Sequence, residues 1–206
     1  MNLEIRKELE RFLDAMYTWN ENVNLTRVPR SEAWVRHIED SLLHEDLIPF
    51  GSQVLDLGTG PGLPAWPLAK FRPDLEVTAL DSSGKMLEFL RSQPLKNLKV
   101  VQARAEELQT PESFDVLTGR AVAPLSMQLE ISAKPLKMGG LFIPMRTPND
   151  QGEVERLKAC LGLTLQSSHE RPLGEVGIRL FPVWRKTEKT PKGYPRKWAL
   201  IRKQPL

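Results

Sequence analysis

Residues 54–64 read Val-Leu-Asp-Leu-Gly-Thr-Gly-Pro-Gly-Leu-Pro. A short apolar run ends in an acid and then opens into three glycines within five positions. Glycine lets a backbone turn sharply and approach a ligand that a side chain would block. Such a turn is the hand-over from a buried parallel strand to a helix, and the ligand edge of the sheet lies at that hand-over.

The chain around it has the matching rhythm. Strands are expected at 53–57, 76–80, 98–102, 114–119 and 140–145, with helices near 63–71, 83–92 and 124–134. Strand and helix in alternation give a parallel sheet with right-handed crossovers, a Rossmann-like doubly wound α/β fold. Ahead of it the spacing predicts a helix over 3–19, with Ile5, Leu9, Phe12, Leu13 and Met16 on one face. A second helix follows near 32–46, with Ser31 as its N-cap. After the core the pattern predicts a helix over 151–161 and strands over 163–168, 178–184 and 197–202 that add an antiparallel edge. The 206 residues suit one domain. Its parts are a helical extension (1–50), a ligand-binding core (51–145) and a C-terminal helix and strands with a basic end (146–206).

The residues at the turn select the ligand. Dinucleotide sites favour G-x-G-x-x-G/A, and here the sixth position is Leu63. Asp56 places a carboxylate where a pyrophosphate would be repelled but a cation attracted. S-adenosyl-L-methionine carries an ammonium and a sulfonium and no phosphate. Asp81, after the second strand, stands where an acid hydrogen-bonds ribose hydroxyls; its bland alternative is a helix cap. Ala105 and Glu106, after the third strand, fall beside the adenine. Asp56, Gly58, Gly60, Asp81 and Glu106 in this order point to an S-adenosylmethionine-dependent methyltransferase.

Charge points to the acceptor. Residues 1–50 carry a net −4, residues 51–150 are neutral, and residues 151–206 carry +7. A basic end on a near-neutral body suits an anionic partner, nucleic acid foremost. No apolar run reaches the length of a membrane span, and the acid-bearing N-terminus does not resemble a secretory signal. The single Cys160 forms no internal disulfide and suggests a reducing cytoplasm. It sits in an amphipathic stretch and is expected to be structural rather than nucleophilic. The three histidines are scattered singly and propose no metal. The place after the fourth strand reads Gly-Arg-Ala-Val-Ala-Pro-Leu, without the Asn/Asp-Pro-Pro-aromatic loop of adenine amino-group methylation. A ring nitrogen with a free lone pair, such as guanine N7, needs no base, so catalysis becomes alignment and exclusion of water.

Taken together these residues resemble the ribosomal RNA small-subunit methyltransferase G family along nearly the whole chain. The marks are Asn24-Leu25-Thr26, His37-Ile38-Glu39-Asp40-Ser41-Leu42 and the glycine turn. Asp81-Ser82, Arg104-Ala105-Glu106 and Phe114-Asp115 follow, leading to Arg120-Ala121-Val122-Ala123. Gly139-Gly140 and the ending Tyr194-Pro195-Arg196-Lys197…Lys203-Gln204-Pro205-Leu206 complete the set. The resemblance implies a class I methyltransferase fold with a mostly parallel, seven-stranded sheet. It implies methyl transfer to N7 of a guanine in 16S rRNA, with Gly58, Leu63, Ala105, Glu106 and Arg120 lining the cofactor site. The chain departs from the family at Leu63-Pro64-Ala65-Trp66-Pro67, at Gly84, and in its closing KWALIRKQPL.

Further candidates are weaker singly. Arg120, His37 and Asn24 are candidates for positioning the substrate; His37, Asp40 and Ser41 are equally a structural cluster. Arg27, Arg30, Arg36, Arg146, Arg196 and Lys197 are candidate phosphate contacts, which position RNA rather than read it. Trp34, Trp66, Trp184 and Trp198 are available for base stacking or for core packing. The partner expected is 16S rRNA in the small ribosomal subunit, met by a monomer in the cytoplasm. Two other classes compete: a small-molecule methyltransferase, and a non-catalytic ribosome-assembly protein that binds RNA on the same fold. A nicotinamide dehydrogenase is disfavoured by Leu63.

Overall fold

The computed structural model describes residues 1–108, 110–120 and 123–206. Five strands form the parallel part of one sheet: β1 (Gln53–Leu57), β2 (Glu76–Asp81), β3 (Leu98–Gln102), β4 (Phe114–Arg120) and β5 (Leu136–Met145). Three more, β6 (Ala159–Cys160), β7 (Leu163–Pro172) and β8 (Ile178–Lys186), continue it antiparallel. The spatial order is β3-β2-β1-β4-β5-β8-β7-β6. The order reverses between β1 and β4, and that switch point opens a crevice at the carboxyl edge.

Alternation along the strands splits the core in two. Val54, Val77, Ala79, Val116 and Ile143 face one side, and Leu55, Leu57, Leu80, Leu117 and Phe142 face the other. The first side is covered by α1 (Leu3–Asn20), α3 (Ala65–Phe71) and α4 (Gly84–Arg91). The second is covered by α5 (Leu125–Ala133), α6 (Gln151–Arg156) and α7 (Trp198–Lys203). The predicted face of α1 is buried at Leu9, Phe12, Leu13 and Met16. Phe12 stacks on Trp66 with ring centroids 4.2 Å apart, fixing α1 to α3. Trp66 is thereby a core residue, as is Trp184, which donates to the Leu157 carbonyl at 3.1 Å. Trp34 donates to Glu39 at 2.9 Å, at the protein surface.

Several expectations are corrected. The sheet has eight strands rather than seven, because the helix predicted over 151–161 stops at Arg156. Leu161 and Gly162 take positive φ, and the tight turn pairs Ala159–Cys160 with Leu163–Thr164. The strand predicted over 197–202 is helix α7. Trp198 and Ile201, three apart, pack on the same core, and both long edges of β8 are already paired. The helix predicted over 32–46 is broken: a 3-10 turn (Arg30–Glu32), a π-helical turn (Trp34–Glu39), the short α2 (Asp40–Leu42) and a 3-10 turn (Glu45–Leu47). Its end is fastened from the end of α3 and from the sheet. Arg72 donates to the Glu45 carbonyl at 2.7 Å, and Arg171 of β7 donates to Asp46 at 2.8 Å. Among the described residues no helix is long and apolar enough to cross a membrane.

Candidate functional site

Two cavities meet the carboxyl edge, one on each side of the switch point. The first, about 420 Å³, is lined by Gly58, Asp81, Ser82, Ala105, Glu106 and Trp198, among others. Its floor is the glycine turn. Gly58, Gly60 and Gly62 all have positive φ, which L side chains adopt only at a cost. A Cβ on Gly62 would also come within 2.6 Å of Leu90 Cδ1, so this glycine lets the turn and α4 pack closely.

Asp81 organises the rim. Its Oδ2 accepts from the Gly60 N–H at 2.8 Å and its Oδ1 from the Ser83 N–H at 2.8 Å. An ionised carboxylate has about four acceptor positions, so each oxygen keeps one for a ligand hydroxyl. Across the cavity, Glu106 has a side chain only 8 % exposed, and its Oε1 is buried with no hydrogen-bond partner. Arg104 approaches it no closer than 3.7 Å. An acceptor held this way is suited to an amino group on the ligand.

Asp56 and Leu63, both predicted at the ligand, lie beneath it. Asp56 is fully buried on the α1–α3 side of β1, where its Oδ2 accepts from the Ala65 N–H at 3.1 Å. The acid therefore ties the first turn of α3 to the strand. Burial pushes its pKa up to about 7, while Thr59, Ala65 and Arg120 oppose that push. Asp56 Oδ1 and the Thr59 hydroxyl are both buried without a well-formed partner. Leu63 is a core residue, 3 % exposed. Gly60 serves the site through its N–H to Asp81 rather than by lining the cavity.

The second cavity, about 930 Å³, lies between the ends of β4 and β5 and the N-terminal segment. Arg36, Arg120, Arg146 and Arg179 line it together with Asp40, Asp150, Glu153, Thr26 and His37. Val116, Thr118 and Arg120 alternate onto the α1 side of β4, which aims Arg120 at the N-terminal segment. There it donates to the Arg36 carbonyl at 2.8 Å and pairs with Asp40 at 3.3 Å. Asp40 is buried and also holds Arg179 of β8 at 2.8 Å. One carboxylate thus fixes two guanidiniums from distant parts of the sequence. Neither Arg179 nor the clasp by Asp40 was foreseen, because residues 40, 120 and 179 are adjacent only in space.

His37 sits beside this clasp, with its Nε2 3.1 Å from the Thr26 hydroxyl. Burial, and then the Arg120 charge, lower its pKa to about 4, so the ring is neutral at pH 7. Its Nδ1 is buried with no hydrogen-bond partner, and so is Arg146 Nε. His44 is a structural counterpart: fully buried, stacked on Phe181 and 3.1 Å from the Thr118 hydroxyl. Ser41 is likewise structural, donating to the His37 carbonyl within the helix.

The remaining candidates divide. Asn24, Arg27 and Lys197 are exposed. Asn24 does not line either cavity. Arg30 pairs with Asp14 at 2.5 Å, and Arg36 pairs with Glu32 while its side chain stays 41 % exposed. Arg146 spans from the Ala123 carbonyl, at 3.0 Å, to Asp150, at 3.0 Å. Arg196, another candidate phosphate contact, holds the fully buried Glu130 with its guanidinium at 2.8 and 2.5 Å. Cys160 is half-buried, and burial raises its thiol to about 11, as a structural cysteine requires. Ala121 and Val122, two marks of the family resemblance, lie outside the described residues.

The chain is similar to known proteins over nearly all of its length. Residues 5–171 match the GidB family model, rRNA small subunit methyltransferase G. Ribosomal RNA small subunit methyltransferase G of Desulfitobacterium hafniense is 36% identical over 223 residues, covering 100% of this chain and 93% of that one. The protein of the same name from Clostridium beijerinckii is 34% identical, covering 100% and 94%. Among solved structures, a SAM-dependent methyltransferase from Aquifex aeolicus superposes with a TM-score of 0.58 at 17% identity, covering 75% of this chain and 93% of that one.

Proposed function

The chain belongs to the rRNA small subunit methyltransferase G family, and from that premise we propose its reaction and its site. It transfers a methyl group from S-adenosyl-L-methionine to N7 of a guanine in 16S rRNA of the small ribosomal subunit. The observation that carries this is the pair of cavities at one switch point, one lined by Asp81 and Glu106 with Arg104, the other by four arginines with Asp40, Asp150 and Glu153.

The first cavity fits the nucleoside half of the cofactor. Asp81 would receive the ribose hydroxyls on its free acceptor positions. Glu106 Oε1, buried without a donor, would receive the adenine amino group. Gly58 and Ala105, having little or no side chain, leave room for the ligand. When bound, the cofactor supplies a methyl group on a positively charged sulfur. Everything else falls to the chain.

The second cavity would take the target nucleotide. Arg36, Arg120, Arg146 and Arg179 would neutralise the backbone around the extruded guanine. N7 carries a lone pair and no proton, so no group has to remove one. A neutral His37 suits this, since it adds no charge next to a base that becomes cationic on methylation. The work of the site is alignment and exclusion of water. Arg27 and Lys197 are surface phosphate contacts, and the protein acts as a monomer in the cytoplasm.

The direct test uses small subunits from cells lacking the protein. They are incubated with the pure chain and methyl-labelled S-adenosylmethionine, and the RNA is digested to nucleosides. Label in 7-methylguanosine is expected. Label in a different nucleoside would overturn the acceptor, and absence of cofactor binding would overturn the enzyme.

A further inference from the structure

Most of the residues lining the first cavity come from the glycine turn and the ends of β2 and β3. Two come from elsewhere: Ile131 of α5 and Trp198 of α7. Trp198 lies in the basic terminal segment, which the charge pattern gives to RNA. Its place in the fold is different.

The segment is fastened at several points. Arg196 grips Glu130 on α5, and its Nη2 also donates to the Gln204 carbonyl at 2.9 Å, bridging the two ends of α7. Arg156 donates to the Leu206 carbonyl at 2.9 Å. Ile201 is fully buried in the core on this side of the sheet. Trp198, three residues earlier, packs against that same core and reaches the cavity wall, on the α5 side. Ala105 and Glu106, the residues suited to an adenine, line the same cavity. An indole in the wall of that cavity is within reach of a flat heteroaromatic ring bound there, and stacking of a base on an aromatic side chain contributes about 1–3 kcal/mol.

We propose that Trp198 is the C-terminal wall of the cofactor pocket and binds the adenine ring, with the Arg196–Glu130 ion pair holding it there. This rests on the cofactor assignment above and adds a residue to it. Trp198 is a binding residue, and Arg196 a positioning residue that acts through it. The terminal segment is therefore part of the cofactor site as well as the basic face.

The test uses the full chain with S-adenosylmethionine and with 5′-methylthioadenosine, which has the nucleoside but not the amino-acid half. Trp198→Ala is expected to raise Kd for both ligands by a similar factor, on the order of ten- to hundredfold. The KM for the small subunit should change by a smaller factor than the Kd for the cofactor. Trp198→Phe, which keeps an aromatic face, should bind within about threefold of wild type and lose most of the tryptophan-fluorescence change seen on titration. Rescue by phenylalanine distinguishes stacking from a loss of folding. An unchanged Kd in Trp198→Ala, or a change confined to the KM for the subunit, would overturn the proposal while leaving the cofactor assignment intact. Failure of the wild-type chain to bind either ligand would overturn both.

Discussion

The two cavities at the carboxyl edge are built on opposite plans. The first takes most of its groups from loops that directly follow their own strands: Gly58 after β1, Asp81 and Ser82 at β2, Ala105 and Glu106 after β3. The second collects Thr26 and His37 from the N-terminal segment, Arg120 from β4, Arg146 after β5 and Arg179 from β8. The first is held by backbone N–H groups on Asp81; the second depends on Asp40 bridging Arg120 and Arg179. A site made of successive loops survives the loss of one side chain as a fold. A site held by one buried carboxylate does not survive its loss so well.

Asp40→Ala should therefore have the largest effect. Both arginines would lose their counter-charge in a largely buried place, and breaking a buried pair costs about 3 kcal/mol or more. Urea unfolding should show a loss of about 3 kcal/mol, and KM for the subunit should rise more than Kd for S-adenosylmethionine. Equal damage to both constants would mean that the two cavities are not separable.

Asp81→Ala is the reciprocal cut, with a smaller effect on folding. Hydrogen bonds to a charged group contribute about 1.5–3 kcal/mol each. Removing the acceptor of the ribose hydroxyls should weaken S-adenosylmethionine binding roughly thirty- to hundredfold in calorimetry. Unfolding stability should fall by less than in Asp40→Ala. Unchanged affinity would leave Asp81 only its anchoring of Gly60 and Ser83.

The same contrast explains what the sequence could reveal. Parallel strands buried on both faces announce themselves as short apolar runs, and a glycine turn with its acids is local. β1 to β4 and the first cavity were legible for that reason. The second cavity was legible only as separate candidates, Arg36, His37, Arg120 and Arg146, because Asp40, Arg120 and Arg179 come together only through the sheet order. The broken N-terminal helix, which keeps its helical spacing, and α7, read as a strand from a few apolar residues, were set by tertiary packing. Asp56 was legible as an acid in the turn but not in its role. Strand alternation puts it on the Val54 side of the sheet, under α3. The spare sign that Arg196 has a structural partner, Glu130 as the one charged residue of α5, carries meaning only once α5 is known to be buried along nearly its whole length.

Asp56→Asn tests that reassignment with an effect of intermediate size. The carboxyl has an ordinary value of 3.8 and a value of about 7 in the folded chain. The folded state thus binds the proton more tightly than the unfolded state between these pH values, and this group's contribution to stability falls as pH rises from about 4 to 7. Asparagine can keep the Ala65 N–H bond and present an amide to the unpaired Thr59 hydroxyl, with no charge to bury. Relative to wild type the variant should gain about 2–3 kcal/mol between pH 5 and pH 8 in urea unfolding. Its affinity for S-adenosylmethionine should stay within about threefold, since neutralising a charge that touches no ligand leaves ligand contacts alone. A tenfold loss of affinity would restore Asp56 to the cofactor, and the boundary between the cavities would have to be redrawn beneath the turn.

The smallest effects belong to the exposed cations. Lys197→Gln and Arg27→Gln should each weaken subunit binding by less than about 1 kcal/mol and reduce the slope of log K against log salt by roughly 0.7–0.9, the share of one phosphate contact. Neither should alter stability, because both side chains are exposed. Arg196→Gln, one residue away, should do the reverse. It leaves Glu130 buried without its partner, so the chain should melt earlier while the salt slope changes little. If Arg196 changed the slope and Lys197 did not, RNA binding would have to release the terminal clasp. The wall of the first cavity would then be set by the occupant of the second.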